Sequence, residues 1–222
     1  NMMRSRGWNR RAKIYFTLTI ILILVAWTYT WFSREVPLHH QLLIPFAFVT
    51  LGMTIKYGDQ VFDLNIGSKR KAILLSVPMG LLMGALIFLD EGSATIFIGL
   101  LLALLIASKY DNIAFKLGFV VAGSIAVLSV LNGNPFHLIG ALVVMVAAFA
   151  DEVLSDRGDR MDGGTMSLVL KERPVLKVAV LVLCLVGALP TLLYFIAFLG
   201  FDTGYSFVEQ ISLSGGIGHR EA

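Results

Sequence analysis

Residues 93–131 read SATIFIGLLLALLIASKYDNIAFKLGFVVAGSIAVLSVL. Two apolar runs, 93–108 and 114–131, are separated only by a polar hinge that holds Lys109, Tyr110, Asp111 and Asn112. An α-helix needs roughly 17–25 residues to cross a hydrocarbon core about 30 Å thick, and each run meets or approaches that length. Both runs lack charge in their interiors, as expected of segments solvated by lipid. The stretch therefore predicts two membrane helices joined by a tight turn.

The pattern extends over the whole chain. Of 222 residues, 57% are hydrophobic and 15% are charged, with a mean hydropathy of +0.80. Soluble domains carry about a quarter charged residues, since they must cover their own surface. Seven apolar segments emerge, at 14–32, 41–58, 72–89, 93–108, 114–131, 135–150 and 175–200. Trp27, Tyr29, Trp31, Tyr57 and Tyr110 sit near segment ends, where amphipathic rings favour the interface. Trp31 and Phe32 stand where a signal peptide would carry a small-residue cleavage site, so the first segment reads as a retained helix. Pro45, Pro78, Gly80, Gly84, Gly140 and Pro190 fall within segments, as is common in membrane bundles.

Charge placement tests the segment count. With the N-terminus in the cytoplasm, 16 of the 18 Lys and Arg residues fall on the cytoplasmic side, and only Arg34 and Arg220 do not. This positive-inside bias predicts an all-α, polytopic membrane helix bundle of about seven transmembrane helices, N-terminus in and C-terminus out. The expected organisation is a basic cytoplasmic arm over 1–13, a membrane domain over 14–200 and an external, mobile tail over 201–222. The expected location is a cell membrane, crossed several times. No basic face remains once the apolar runs are set aside, which excludes a nucleic-acid binder. The single cysteine, Cys184, excludes a disulfide framework and a multi-cysteine zinc site.

Acidic residues gather at two cytoplasmic helix ends. Asp59 and Asp63 are spaced i, i+4 and share a helix face. Glu152, Asp156 and Asp159 follow at i+4 and i+3 on the extension of the sixth segment, with Asp151 beside them and Asp162 beyond. Carboxylates crowded at a membrane edge repel one another and lose hydration, so they need a divalent cation or basic side chains. Mg²⁺ suits such a site, because it takes oxygen ligands from one or two carboxylates together with substrate phosphates. Between the acidic ends lies SKYDNIAFK (108–116), where Lys109 and Lys116 are placed to meet a diphosphate and Tyr110 and Asn112 to hydrogen-bond it. The plainer reading makes these solvated interfacial residues, with the acids balancing nearby Arg and Lys.

YGDQVFD (57–63) and DEVLSDRGDRMDGGTMSLVLKER (151–173), with the Tyr/Lys turn between them, resemble the motifs of the UbiA superfamily of intramembrane prenyltransferases. The resemblance covers about residues 45–180. It implies a Mg²⁺-dependent transferase acting on an isoprenoid diphosphate at the cytoplasmic face, with a lipid or aromatic acceptor. Asp59, Asp63, Asp156 and Asp159 would be catalytic, and with Glu152 would hold the metal. Lys109, Tyr110, Asn112, Lys116, Arg157 and Arg160 would bind substrate.

Two other readings use the same residues. One is a transporter or channel whose cytoplasmic-side carboxylates form a cation site. Charged groups near the membrane midplane would favour it, and none of the seven segments carries one at its centre. The other is a lipid-binding scaffold without catalysis. His39, His40, Asp90, Glu91 and His137 share the external side, but adjacent histidines cannot occupy one helix face, so they read as interfacial residues.

Overall fold

The computed structural model describes residues 10–33, 36–65, 67–107, 112–159 and 173–213, leaving aside the side chains at 10–12, 15, 33, 156, 158, 159 and 213. The described residues form eight α-helices and no strand: α1 (Arg10–Ser33), α2 (Leu38–Asp63), α3 (Lys69–Leu89), α4 (Glu91–Ala107), α5 (Ile113–Leu131), α6 (Leu138–Asp159), α7 (Pro174–Leu185) and α8 (Leu193–Leu213). Four of them (α2, α3, α5 and α6 over Leu138–Ser155) are long and apolar enough to cross a membrane. The outer faces carry Leu18, Phe32, Phe46, Leu74, Val120, Ile139 and Val178, all exposed. Apolar surface this extensive is far beyond what a water-soluble monomer presents, and it fits contact with lipid.

Local chemistry sets the helix ends. Ser68 and Asn112 accept hydrogen bonds from the backbone of Lys71 (3.5 Å) and Phe115 (2.8 Å), capping α3 and α5. Asp90 accepts from Ser93 N at 2.8 Å and so starts α4 one residue after α3 ends. The α7 start uses a cap from another helix. The Asp151 carboxylate on α6 accepts from Val175 N (3.0 Å) and Leu176 N (2.7 Å). Pro174 occupies the first turn of α7, where its missing N–H has no cost.

The largest difference from the sequence reading is at the C-terminus. The expected single helix over 175–200 divides into α7 and α8 at a turn over 186–192, where Gly187 has φ +77°. The 12 residues of α7 extend only about 18 Å at 1.5 Å per residue. Helix α8 then returns antiparallel to α7 and alongside α2. Tyr194, near its start, donates to Asp90 Oδ1 at 2.7 Å, and Glu209, near its end, pairs with Lys56 of α2 at 3.0 Å. Phe16 near the start of α1 meets Phe207 of α8, with ring centroids 6.4 Å apart.

The start of α1 and the end of α8 therefore lie close together. Residues 201–213, expected in a mobile tail, are helical, and Phe201, Asp202, Val208 and Ser212 are buried. Hydropathy missed this helix because Asp202 and Glu209 dilute it, and both find cationic partners only after folding.

Helix α8 is the centre of the bundle, with every residue from Leu193 to Asp202 buried. Phe198 and Phe201 join Phe48 of α2 and Phe97 of α4 in an aromatic core, with the Phe48 and Phe97 ring centroids 4.6 Å apart. Small residues allow this closeness. A Cβ at Gly52 would run into the Phe201 carbonyl, and one at Gly80 would lie 2.7 Å from the carbonyl of Gly118. Such contacts replace the hydrophobic drive that lipid cannot supply between membrane helices.

Candidate functional site

The α2 end, the α7 start and the second half of α8 meet in a buried charged seam. Lys177 of α7 pairs with Asp202 of α8 at 2.6 Å, and their side chains are 14% and 5% exposed. Lys56 of α2, besides its pair with Glu209, donates to the Tyr205 hydroxyl at 3.4 Å. Its ammonium also lies 4.5 Å from the Tyr205 ring centroid, and the Arg173 guanidinium lies 4.6 Å from the same centroid. These are cation–π distances. Burial works against the Arg173 charge, but Tyr205, Asp202, Glu152 and Asp59 outweigh it and hold the guanidinium above its usual range.

Asp59 stands at the edge of this seam. Its Oδ2 accepts from the Tyr205 hydroxyl at 3.4 Å. Lys56 and Arg173 are near enough to attract it, but neither reaches ion-pair distance. On its other side Asp59 borders a cleft of about 80 Å³ between α2, α3, α4 and α5. The cleft begins at Asp59, Ala72 and Asn112 and ends near Leu51, Met83 and Leu101. Among the described residues, Asp59 is its one ionisable lining residue. The three other polar groups are already engaged within their own helices. Thr54 donates to the Thr50 carbonyl, Ser76 donates to the Ile73 carbonyl, and Asn112 accepts from Phe115 N.

The described residues singled out in the sequence take different positions. Asp59 and Asn112 line the cleft together. Asp63, the last residue of α2, is exposed, as are Lys116 on α5 and Arg157 on α6. Glu152 is half-buried and acts on Arg173. Asp156 and Asp159 fall on the last turns of α6, but their side chains lie outside the described residues, as do Lys109, Tyr110 and Arg160 entirely. Asp151 is a helix cap, 2% exposed, where the plainer reading had a solvated loop residue.

The expected magnesium site required carboxylates of α2 and α6 to converge. Among the described residues, no three His, Cys, Asp or Glu side chains come together to hold a metal ion. The described side chains therefore do not form a magnesium set.

Sequence reasoning missed Lys56, Arg173, Lys177, Asp202, Tyr205 and Glu209 as a group. One signal was available: Asp202, Tyr205 and Glu209 are spaced i, i+3 and i+7, a single helix face, in a stretch read as tail. The chain matches no family model, no curated protein and no solved structure.

Proposed function

We infer that this is a multi-pass membrane protein of a cell membrane that binds a cation at Asp59, as a transporter does, on the cytoplasmic side of the bilayer. One observation carries the reading. Among the described residues, Asp59 is a carboxylate without an ion pair that borders an apolar cleft, whereas Lys56, Lys177 and Asp202 are paired. An ionisable group in a membrane interior is costly and commonly marks a substrate or ion path. Asp202, at the middle of α8, adds an acidic group well inside the bundle, which supports this reading. The sidedness rests on the Lys and Arg bias, with the α1 start, the α2 end, the α7 start and the α8 end facing the cytoplasm.

The test is uptake of a labelled cation into proteoliposomes. Asp59→Asn removes the charge at nearly constant size and should abolish uptake, while Asp63→Asn should not. Uptake that is absent, or unchanged in Asp59→Asn, would sink the reading.

A second reading is UbiA-like prenyl transfer from an isoprenoid diphosphate to a lipid or aromatic acceptor, with Mg²⁺. It is supported by the apolar cleft at Asp59, whose shape suits a hydrocarbon chain, and by the acids that close α6. Magnesium-dependent binding of geranyl diphosphate, lost in both Asp59→Asn and Asp156→Asn, would favour it over transport.

A further inference from the structure

We propose that the cleft takes a slender organic cation, an ammonium head on a single apolar chain, with Asp59 as its counter-ion. The inference rests on the cation-site reading and names the chemical class of the ligand. A hard inorganic cation requires several oxygen ligands, six for Mg²⁺ and 6–8 for Ca²⁺. Among the described residues, the Asp59 carboxylate, Thr54, Ser76 and Asn112 bring at most five side-chain oxygens to the cleft, fewer than such an ion takes. An alkylammonium needs only one counter-charge and apolar contact for its chain.

The walls suit such a chain. Phe115 and Phe119 give aromatic faces that attract an ammonium. Met79 and Met83 are flexible thioethers that adapt to an irregular guest. Counted along α3 from Ala72 to Met83, the cleft runs about 16 Å at 1.5 Å per residue. Its volume of about 80 Å³ is well below the ~150 Å³ void that accommodates benzene, which excludes bulky groups from it.

Gly58 points to the same occupant from an independent direction. Glycine inside a helix is less favourable than alanine. Elsewhere in α2, Gly52 is required by the Phe201 backbone, but a Cβ at Gly58 would meet nothing within 4 Å. Packing gives no reason for glycine there. The position lines the cleft beside Asp59, and the missing side chain leaves room next to the carboxylate.

The experiment is a thermal-shift titration of the full chain in neutral detergent with octylammonium. The controls are octanol, octyl sulfate, tetraphenylphosphonium and MgCl₂. A saturable rise in Tm is expected with octylammonium and not with octanol, octyl sulfate or the bulky phosphonium. Asp59→Asn should weaken octylammonium about tenfold or more, the scale of 1.4 kcal/mol for one charge contact. Gly58→Leu, which fills the open space without a backbone clash, should do the same while its unliganded Tm stays near wild type.

Equal stabilisation by octanol, or an octylammonium effect that survives Asp59→Asn, overturns the proposal. An Asp59-dependent rise with MgCl₂ or with the phosphonium, but not with octylammonium, overturns this ligand class and leaves the cation-site reading standing. No Asp59-dependent effect from any cation defeats both.

Discussion

Breaking the Lys177–Asp202 pair is the most direct probe of the bundle interior. The pair is short and its carboxylate nearly sealed, with 5% of the Asp202 side chain exposed. Lys177→Met keeps the length of the side chain and removes its charge, leaving Asp202 buried without its closest cation. Removing one partner of a buried pair costs about 3–5 kcal/mol. Arg173 still attracts Asp202, which places the loss near the lower end, about 3 kcal/mol. For a chain of this size each kcal/mol moves Tm by about 2–4 °C, so the fall should be roughly 6–12 °C.

Asp202→Leu removes the carboxylate nearest the ammonium and should cost a similar amount. The double variant Lys177→Met/Asp202→Leu leaves no charge behind. Replacing a buried pair by apolar residues of similar volume is often neutral or stabilising, so its Tm should return close to wild type. Thermal melts of the four proteins in one detergent give the coupling energy by a double-mutant cycle. Additive losses, or single variants within about 1 kcal/mol of wild type, would refute a buried pair there and with it the placement of α8 against α7.

Asp151→Ala should cost about 2 kcal/mol by melting, since it removes a cap that satisfies two backbone donors of α7, and Asp151→Asn should cost less. Gly52→Ala should destabilise by about 1–3 kcal/mol through the Phe201 backbone, whereas Gly58→Ala should be neutral or stabilising by up to ~1 kcal/mol. In sealed vesicles, cysteines placed before residue 10 and after residue 213 in a Cys184→Ser background should react with an impermeant maleimide from the same side. Labelling from opposite sides would contradict the return of α8.

Much of the helical layout is legible because it depends on local properties. The apolar runs are long, and polar hinges end them close to the observed boundaries: 72–89 became Lys69–Leu89 and 114–131 became Ile113–Leu131. Capping residues such as Ser68 and Asn112 mark those starts chemically. Beyond residue 185 the reading failed for a non-local reason. A helix carrying Asp202 and Glu209 scores poorly when judged alone, and its place in the bundle depends on Lys177 and Lys56 from other helices.

The site divides along the same line. Asp59 stands out from its own neighbourhood, an acid among apolar residues at a helix end. Its cationic surroundings do not, since Arg173 lies 114 positions along the chain and Tyr205 further still. Asp151, grouped with the other acids by spacing, proved to serve the backbone of α7.

That difference bears on the choice between the two functional readings. The prenyl-transfer reading gives the acids of α2 and α6 one shared task, holding metal and diphosphate. In the described structure they have separate tasks. Asp151 caps a helix, Glu152 stabilises Arg173, Asp63 faces outward, and Asp59 alone borders the cleft. A diphosphate placed in that cleft would bring negative charge against Asp59 with no cation among the described lining residues to offset it. An ammonium would bring the opposite charge into a low-dielectric site where attraction is strong. The seam behind Asp59 reinforces this preference. Its cations are drawn toward Glu209, Asp202 and Tyr205, so they stabilise the fold without saturating the carboxylate. Asp59→Asn and Asp156→Asn therefore separate the readings: loss of ligand binding in the first variant alone is the outcome expected of a cation site.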